Sequence, residues 1–189
     1  MRGLMVAVLA GAALMTAVPA QAAWKSYIVR ELGFSFQAPG EVKASSGSFR
    51  GALAGPRQTM VFRSTEEGIE YKVTVMSFLQ AQAEGASILG EREYMFQDGK
   101  KVVMDTFGRV EPGKDSVYGR KIVVELPDNK GRVMGAFYFT KGRMITLEAT
   151  VPGGGDYASP DLGRFIDSIV FVLSRTNEGA VELKAPKLE

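Results

Sequence analysis

The 21 Asp and Glu residues are what this chain has left for acid–base chemistry, because its 189 residues include no His and no Cys. Without imidazole there is no Ser-His-Asp or Cys-His nucleophile, no ordinary general base near neutral pH and no histidine metal site. Without thiolate as well, zinc, copper, haem-thiolate and iron–sulfur centres lose their usual ligands, and no cofactor is called for. No Ser or Thr has a Lys three residues later, so a Ser-x-x-Lys dyad is absent too. A hydrolase working with two carboxylates stays open, since linear order does not say which acids meet in space.

Three spacings imitate binding motifs. Gly108 to Gly113 with Lys114 follows a phosphate loop up to its last position, where Asp115 replaces the hydroxyl that should meet Mg²⁺. An acid there repels phosphate, so the segment reads as a strand end turning through Pro112-Gly113. Gly153-Gly154-Gly155-Asp156-Tyr157-Ala158 fits a loose dinucleotide fingerprint. The helix signal after it, however, starts only at Ser159-Pro160, and no acid follows about 20 residues on to hold a ribose. Glu66, Glu67 and Glu70 crowd a turn where an oxygen-ligated Ca²⁺ is conceivable, against the simpler reading of a solvated turn.

Residues 1–22 bear on where such a protein works. Met1-Arg2 gives a positive start, residues 4–18 are almost wholly apolar, Pro19 breaks the run, and Ala20-Gln21-Ala22 is the small-x-small pattern of a cleavage site. At about 1.5 Å per residue the apolar run reaches about 22 Å, short of a ~30 Å hydrocarbon core. The segment reads as a signal peptide cleaved after Ala22, placing the protein in the periplasm or outside the cell. No cysteine follows to take a lipid, and no later stretch is apolar enough to span a bilayer. Arg2 is the only charge in the leader, so cleavage takes the net charge from +2 to +1. That balance, with dispersed Lys and Arg, argues against nucleic acid as a partner.

The rest of the chain must supply the frame, and its dominant period is two. In residues 143–151, Ile145, Leu147, Ala149 and Val151 point one way and Thr146, Glu148 and Thr150 the other, which predicts one buried and one wet face. Residues 132–140 form its partner across a two-residue turn, Lys141-Gly142. Residues 120–126 precede them across Pro127-Asp128-Asn129-Lys130-Gly131. Residues 58–63 and 69–78 make another hairpin, 33–37 a short strand closed by Pro39-Gly40, and 102–110 a further strand. Residues 81–97 predict a helix through Ile88, Leu89, Met95 and Phe96, weakened by Gly85 and Gly90 at about 1 kcal/mol each. Ser159, Pro160 and Asp161 open a second helix carrying Leu162, Phe165, Ile166 and Ile169, with a short strand after it through Leu173. The six Met beyond the leader (60, 76, 95, 104, 134, 144) fall in these elements and read as core filling. The expected fold is α+β, one domain over residues 23–176 with a mainly antiparallel sheet and two principal helices. Residues 177–189 read as a disordered polar tail.

The order of certain landmarks resembles the PsbP-like group and the periplasmic DcrB-type proteins. These are Gly33-Phe34-Ser35-Phe36 with Pro39, Tyr71-Lys72-Val73-Thr74-Val75, Tyr118-Gly119-Arg120-Lys121, Gly142-Arg143-Met144, and Arg164-Phe165-Ile166-Asp167-Ser168-Ile169. The resemblance implies an antiparallel sheet packed with helices and members that bind partners instead of catalysing reactions. It transfers no functional residue. From the residues themselves, the contact candidates are Gly153, Gly154, Gly155, Asp156 and Tyr157: a glycine run free to move, then an aromatic anchor for recognition. The expected function is that of an exported, non-enzymatic binding or accessory domain acting on a protein or envelope component. A small-ligand carrier and a carboxylate hydrolase are the alternatives.

Overall fold

Alternating apolar residues and two-residue turns build a sheet here that has to be covered on both sides. The computed structural model describes residues 23–78, 84–110, 116–171 and 179–188. The strands are β1 (Trp24–Val29), β2 (Phe34–Pro39), β3 (Lys43–Gly51), β4 (Gly55–Glu66), β5 (Ile69–Ser77), β6 (Lys101–Val110), β7 (Val117–Glu125), β8 (Gly131–Thr140), β9 (Arg143–Pro152) and β10 (Val181–Glu182). Helix α1 (Gly85–Gln97) falls between β5 and β6, and α2 (Pro160–Ile166) follows β9. Seven strands form one antiparallel sheet in the order β3-β4-β5-β9-β8-β7-β6, and a smaller sheet runs β10-β1-β2. The fold class is therefore α+β, a large antiparallel sheet packed with two helices.

Turn chemistry sets the registers. Lys141 (φ 48°) and Gly142 (φ 67°) close β8 onto β9, and Glu67 (φ 49°) and Gly68 (φ 79°) close β4 onto β5. Both are two-residue connections with positive φ at each central position, the geometry that matches the strands' own twist. Ser159 caps α2 by accepting the Asp161 N–H, with Pro160 in the first turn.

Two cores share the large sheet. On one face, Tyr71, Val73, Val75, Tyr138, Ile145 and Leu147 meet Tyr27, Phe34 and Phe36 of the small sheet and Leu162, Phe165 and Ile166 of α2. On the other, Met76, Ile122, Val124, Phe137 and Met144 meet Ile88 and Phe96 of α1. This corrects the expectation of a wet face on β9. Thr146 and Glu148 are buried, because β9 lies mid-sheet and α1 covers its second side.

Within the predicted tail, Val181–Glu182 pairs parallel with β1 and the Leu183 N–H donates to Ile28 O at 2.8 Å, while residues 177, 178 and 189 lie outside the described residues. Strands β1 and β3 had no sequence signal. The polar β3 carries no alternation and is held to β4 along its length by main-chain pairing. The first helix begins at Gly85, and residues 81–83 of the predicted span lie outside the described residues, as do Glu111 to Asp115 of the phosphate-loop imitation and Val172-Leu173 of the last predicted strand. Of the Met side chains, 76 and 144 are buried, 60 and 134 half-buried, and Met95 and Met104 exposed, so the core reading fails for those two. Among the described residues, no helix is long and apolar enough to cross a membrane.

Candidate functional site

The two covering layers do not reach the β6 end of the sheet. Residues 101–107 of β6 are all exposed, and on the α2 side this leaves an apolar cleft of about 190 Å³. Met104, Val123, Met134, Val151, Leu162 and Tyr157 line it. Strands β6 to β9 supply the floor, while α2 and the segment before it supply the wall. The sequence candidate Tyr157 thus stands at the cleft, half-buried against the larger core.

Its ring is held from behind. The Arg132 guanidinium lies 4.6 Å from the Tyr157 ring centre and donates to Glu125 Oε1 at 2.7 Å, and Glu125 also accepts from Lys101 Nζ at 2.8 Å. Hydrogen bonds from Lys101 and Arg132 hold the Glu125 carboxyl below the usual carboxylate range. The Arg132 Nε is buried without a partner. A charged chain of Lys101, Glu125 and Arg132 therefore borders the apolar cleft, with Tyr157 between the two environments.

The five sequence candidates lie together in the connection between β9 and α2. A Cβ on Gly153 would sit 2.2 Å from Asn129 O, and one on Gly155 would sit 2.6 Å from Val151 Cγ1. The Gly153 N–H donates to Lys130 O at 3.1 Å and the Gly155 N–H to Pro152 O at 3.0 Å. The close main chain of Asn129 demands glycine at 153, the Val151 side chain crowds position 155, and only Gly154 (φ 81°) needs the left-handed region. Asp156 accepts the Ala158 N–H at 2.9 Å, turning the chain toward α2. The dinucleotide imitation has no helix of its own, since α2 starts three residues after Tyr157.

Acid pairing exists elsewhere. Glu93 of α1 and Asp105 of β6 flank Arg120, which donates two hydrogen bonds to Asp105 at 2.8 and 2.7 Å and lies 3.9 Å from Glu93. Burial raises the Glu93 carboxyl above the usual range, with Arg120 opposing the shift and Asp105 adding to it. Neither acid lines the apolar cleft, and the arginine between them bridges the two, as in a structural ion bridge. Glu148 takes Lys72 Nζ at 2.7 Å and Arg92, fastening α1 to the sheet. Of the acidic turn, Glu70 pairs with Arg63 at 3.3 Å. Among the described residues no three Asp or Glu cluster as a metal site would require. The residues that sequence reasoning missed are Met104, Val123, Met134 and Arg132. Val123 and Met134 lie in the predicted strands, but their convergence depends on how far α2 extends across the sheet.

The chain is similar to the cyanobacterial PsbP (CyanoP) of Synechocystis sp. PCC 6803, solved in solution, with 17% identity, coverage of 75% of this chain and 86% of that one, and a TM-score of 0.42. No protein-family model matches the sequence, and no curated protein does.

Proposed function

We propose that this protein is an exported, non-enzymatic binding domain that seats an apolar side chain of a protein or envelope partner in the Tyr157 cleft. The observation that carries the reading is the cleft itself: about 190 Å³, walled by Met, Val and Leu, with an aromatic at its edge and a charged chain beside it. Small-molecule pockets run about 300–1,000 Å³, whereas recognition anchors are single aromatic or aliphatic side chains in small desolvated pockets. The volume of this cleft suits an anchor, and the adjoining polar cavity of about 460 Å³ that shares Tyr157 has room for a carried ligand. The carboxylate alternative is weakened by Arg120, which occupies the space between the two acids where a substrate would have to enter. Export rests on residues 1–22, and the PsbP-like and DcrB-like resemblance supports partner binding as its members' usual role.

A photo-reactive residue at position 157, introduced in the exporting cell, tests this. It should give a defined adduct, carried on a chain whose mass lacks residues 1–22. Met104→Glu, which places a charge at the cleft, should abolish the adduct. A probe at the exposed Leu53 near the opposite edge of the sheet should not form it. Equal capture from position 53, or no effect of Met104→Glu, would reject the cleft as the contact.

A further inference from the structure

Strand β6 has an open edge as well as open faces. It ends the seven-stranded order, and among the described residues nothing pairs with its outer side. Such an edge presents free N–H and C=O groups and is normally shortened, charged or covered. Here it is 10 residues long and exposes Val102, Val103, Met104 and, at 85% exposure, Phe107. The opposite edge, β3, is polar along most of its length.

The geometry points to a second copy of this chain as the occupant, pairing β6 with β6 across a two-fold axis centred on Phe107. In an antiparallel ladder successive residues turn their main-chain groups to opposite neighbours, so only residues of like parity can face each other. The irregularity between Val102 and Met104 limits the regular ladder to residues 104–110. A register centred on Asp105 sets that acid against itself. One centred on Thr106 sets Asp105 against Phe107, and one centred on Gly108 sets Arg109 against Phe107. Centring on Phe107 uses all seven regular residues and places each Asp105 opposite the other copy's Arg109, twice over.

The same register brings the two Phe107 rings together and, on the reverse face, sets Met104 against Val110. Asp105 is already oriented by its bidentate bond from Arg120, whose guanidinium stacks 5.3 Å from the Phe107 ring centre. Tyr118, 64% exposed and paired with Arg109 on β7, extends the aromatic surface beside the axis. Opposite charges, aromatic pairs and apolar pairs across strands each stabilise a sheet, and like charges oppose it. The result is a continuous antiparallel sheet running through both copies. It shares Met104 with the Tyr157 reading but is tested apart from it, since capture from position 157 and self-association are separate measurements and the charge variants at 105 and 109 lie outside the cleft.

Sedimentation equilibrium of the cleaved chain at tens of micromolar should give twice the chain mass. Arg109→Asp turns both attractive pairs repulsive and should weaken association by about tenfold or more, with an unchanged circular dichroism spectrum. Asp105→Arg alone should do the same, while the two variants mixed should form a heterodimer in which every charge pair is opposite again. The chain has no cysteine, so Phe107→Cys supplies a sole thiol at the axis. Facing Cα atoms about 4.5–5.5 Å apart suit a disulfide. Oxidation should cross-link Phe107→Cys and leave Met104→Cys, about 20 Å from its own copy at ~3.4 Å per residue, uncrosslinked. A monomeric wild type, an Arg109→Asp variant that associates normally, or equal cross-linking of both thiols would overturn the proposal.

Discussion

Replacing Glu148 by Gln removes the single negative charge that holds two cations beneath α1. Glu148 faces Lys72 across the β5–β9 ladder and takes Arg92 from the helix above. The side chains of Glu148, Arg92 and Lys72 are 8%, 17% and 24% exposed. The Arg92 guanidinium lies 5.5 Å from the Phe137 ring centre and 5.8 Å from that of Phe49. Stripping one partner from a buried ion pair costs about 3–5 kcal/mol, because the other charge is left desolvated. Lys72 is exposed enough to swing into water, so the lower end applies, about 3 kcal/mol out of the ~5–15 available to a domain. For a chain of this size each kcal/mol moves the midpoint by about 2–4 °C, which predicts a Tm lower by about 6–12 °C. Urea unfolding followed by fluorescence of Trp24 reads it directly, since this sole Trp packs edge-on against Tyr71 at 5.9 Å. Arg92→Met combined with Glu148→Gln should cost well under the sum of the two single changes, because the more buried cation leaves with the carboxylate and Lys72 can turn its amine to water. A loss below about 1 kcal/mol for Glu148→Gln, or strict additivity of the pair, would refute the argument that this ion cluster fastens α1.

Burial pushes the Tyr71 and Tyr138 hydroxyls up to about 12, against about 10 in an unfolded chain. The folded state therefore holds protons the unfolded state has released, and stability, complete below about pH 10, should fall as pH rises toward 12. Urea midpoints measured from pH 8 to 12 should show this fall, and Tyr71→Phe and Tyr138→Phe should each flatten it. Two glycine replacements should move stability in opposite directions in the same unfolding assay. Gly119→Ala should destabilise, because its Cβ would sit 1.9 Å from the main-chain Phe137 O. Gly90→Ala, in an exposed turn of α1 with nothing within 4 Å, should stabilise by about 0.5–1 kcal/mol.

The sequence by itself determined what depends on nearest neighbours along the chain. Lys141-Gly142 specifies a two-residue turn through its own backbone preferences, and Ser159-Pro160-Asp161 specifies a helix start through one hydroxyl and one fixed φ. Ile145, Leu147, Ala149 and Val151 specify a strand face by period alone. The missing His and Cys bounded the chemistry without any fold. Tertiary structure decided everything that depends on what lies across the sheet. Thr146 and Glu148 look like a wet face until α1 covers them, because burial is a property of the neighbouring layer and not of the strand. At Gly153 and Gly155 a Cβ would meet Asn129 and Val151, which no local pattern in the sequence reveals. Tyr157 was legible as a candidate contact residue. The cleft beside it was not, because Met104, Val123, Met134 and Leu162 come from four elements whose convergence depends on where α2 stops and β6 continues beyond it.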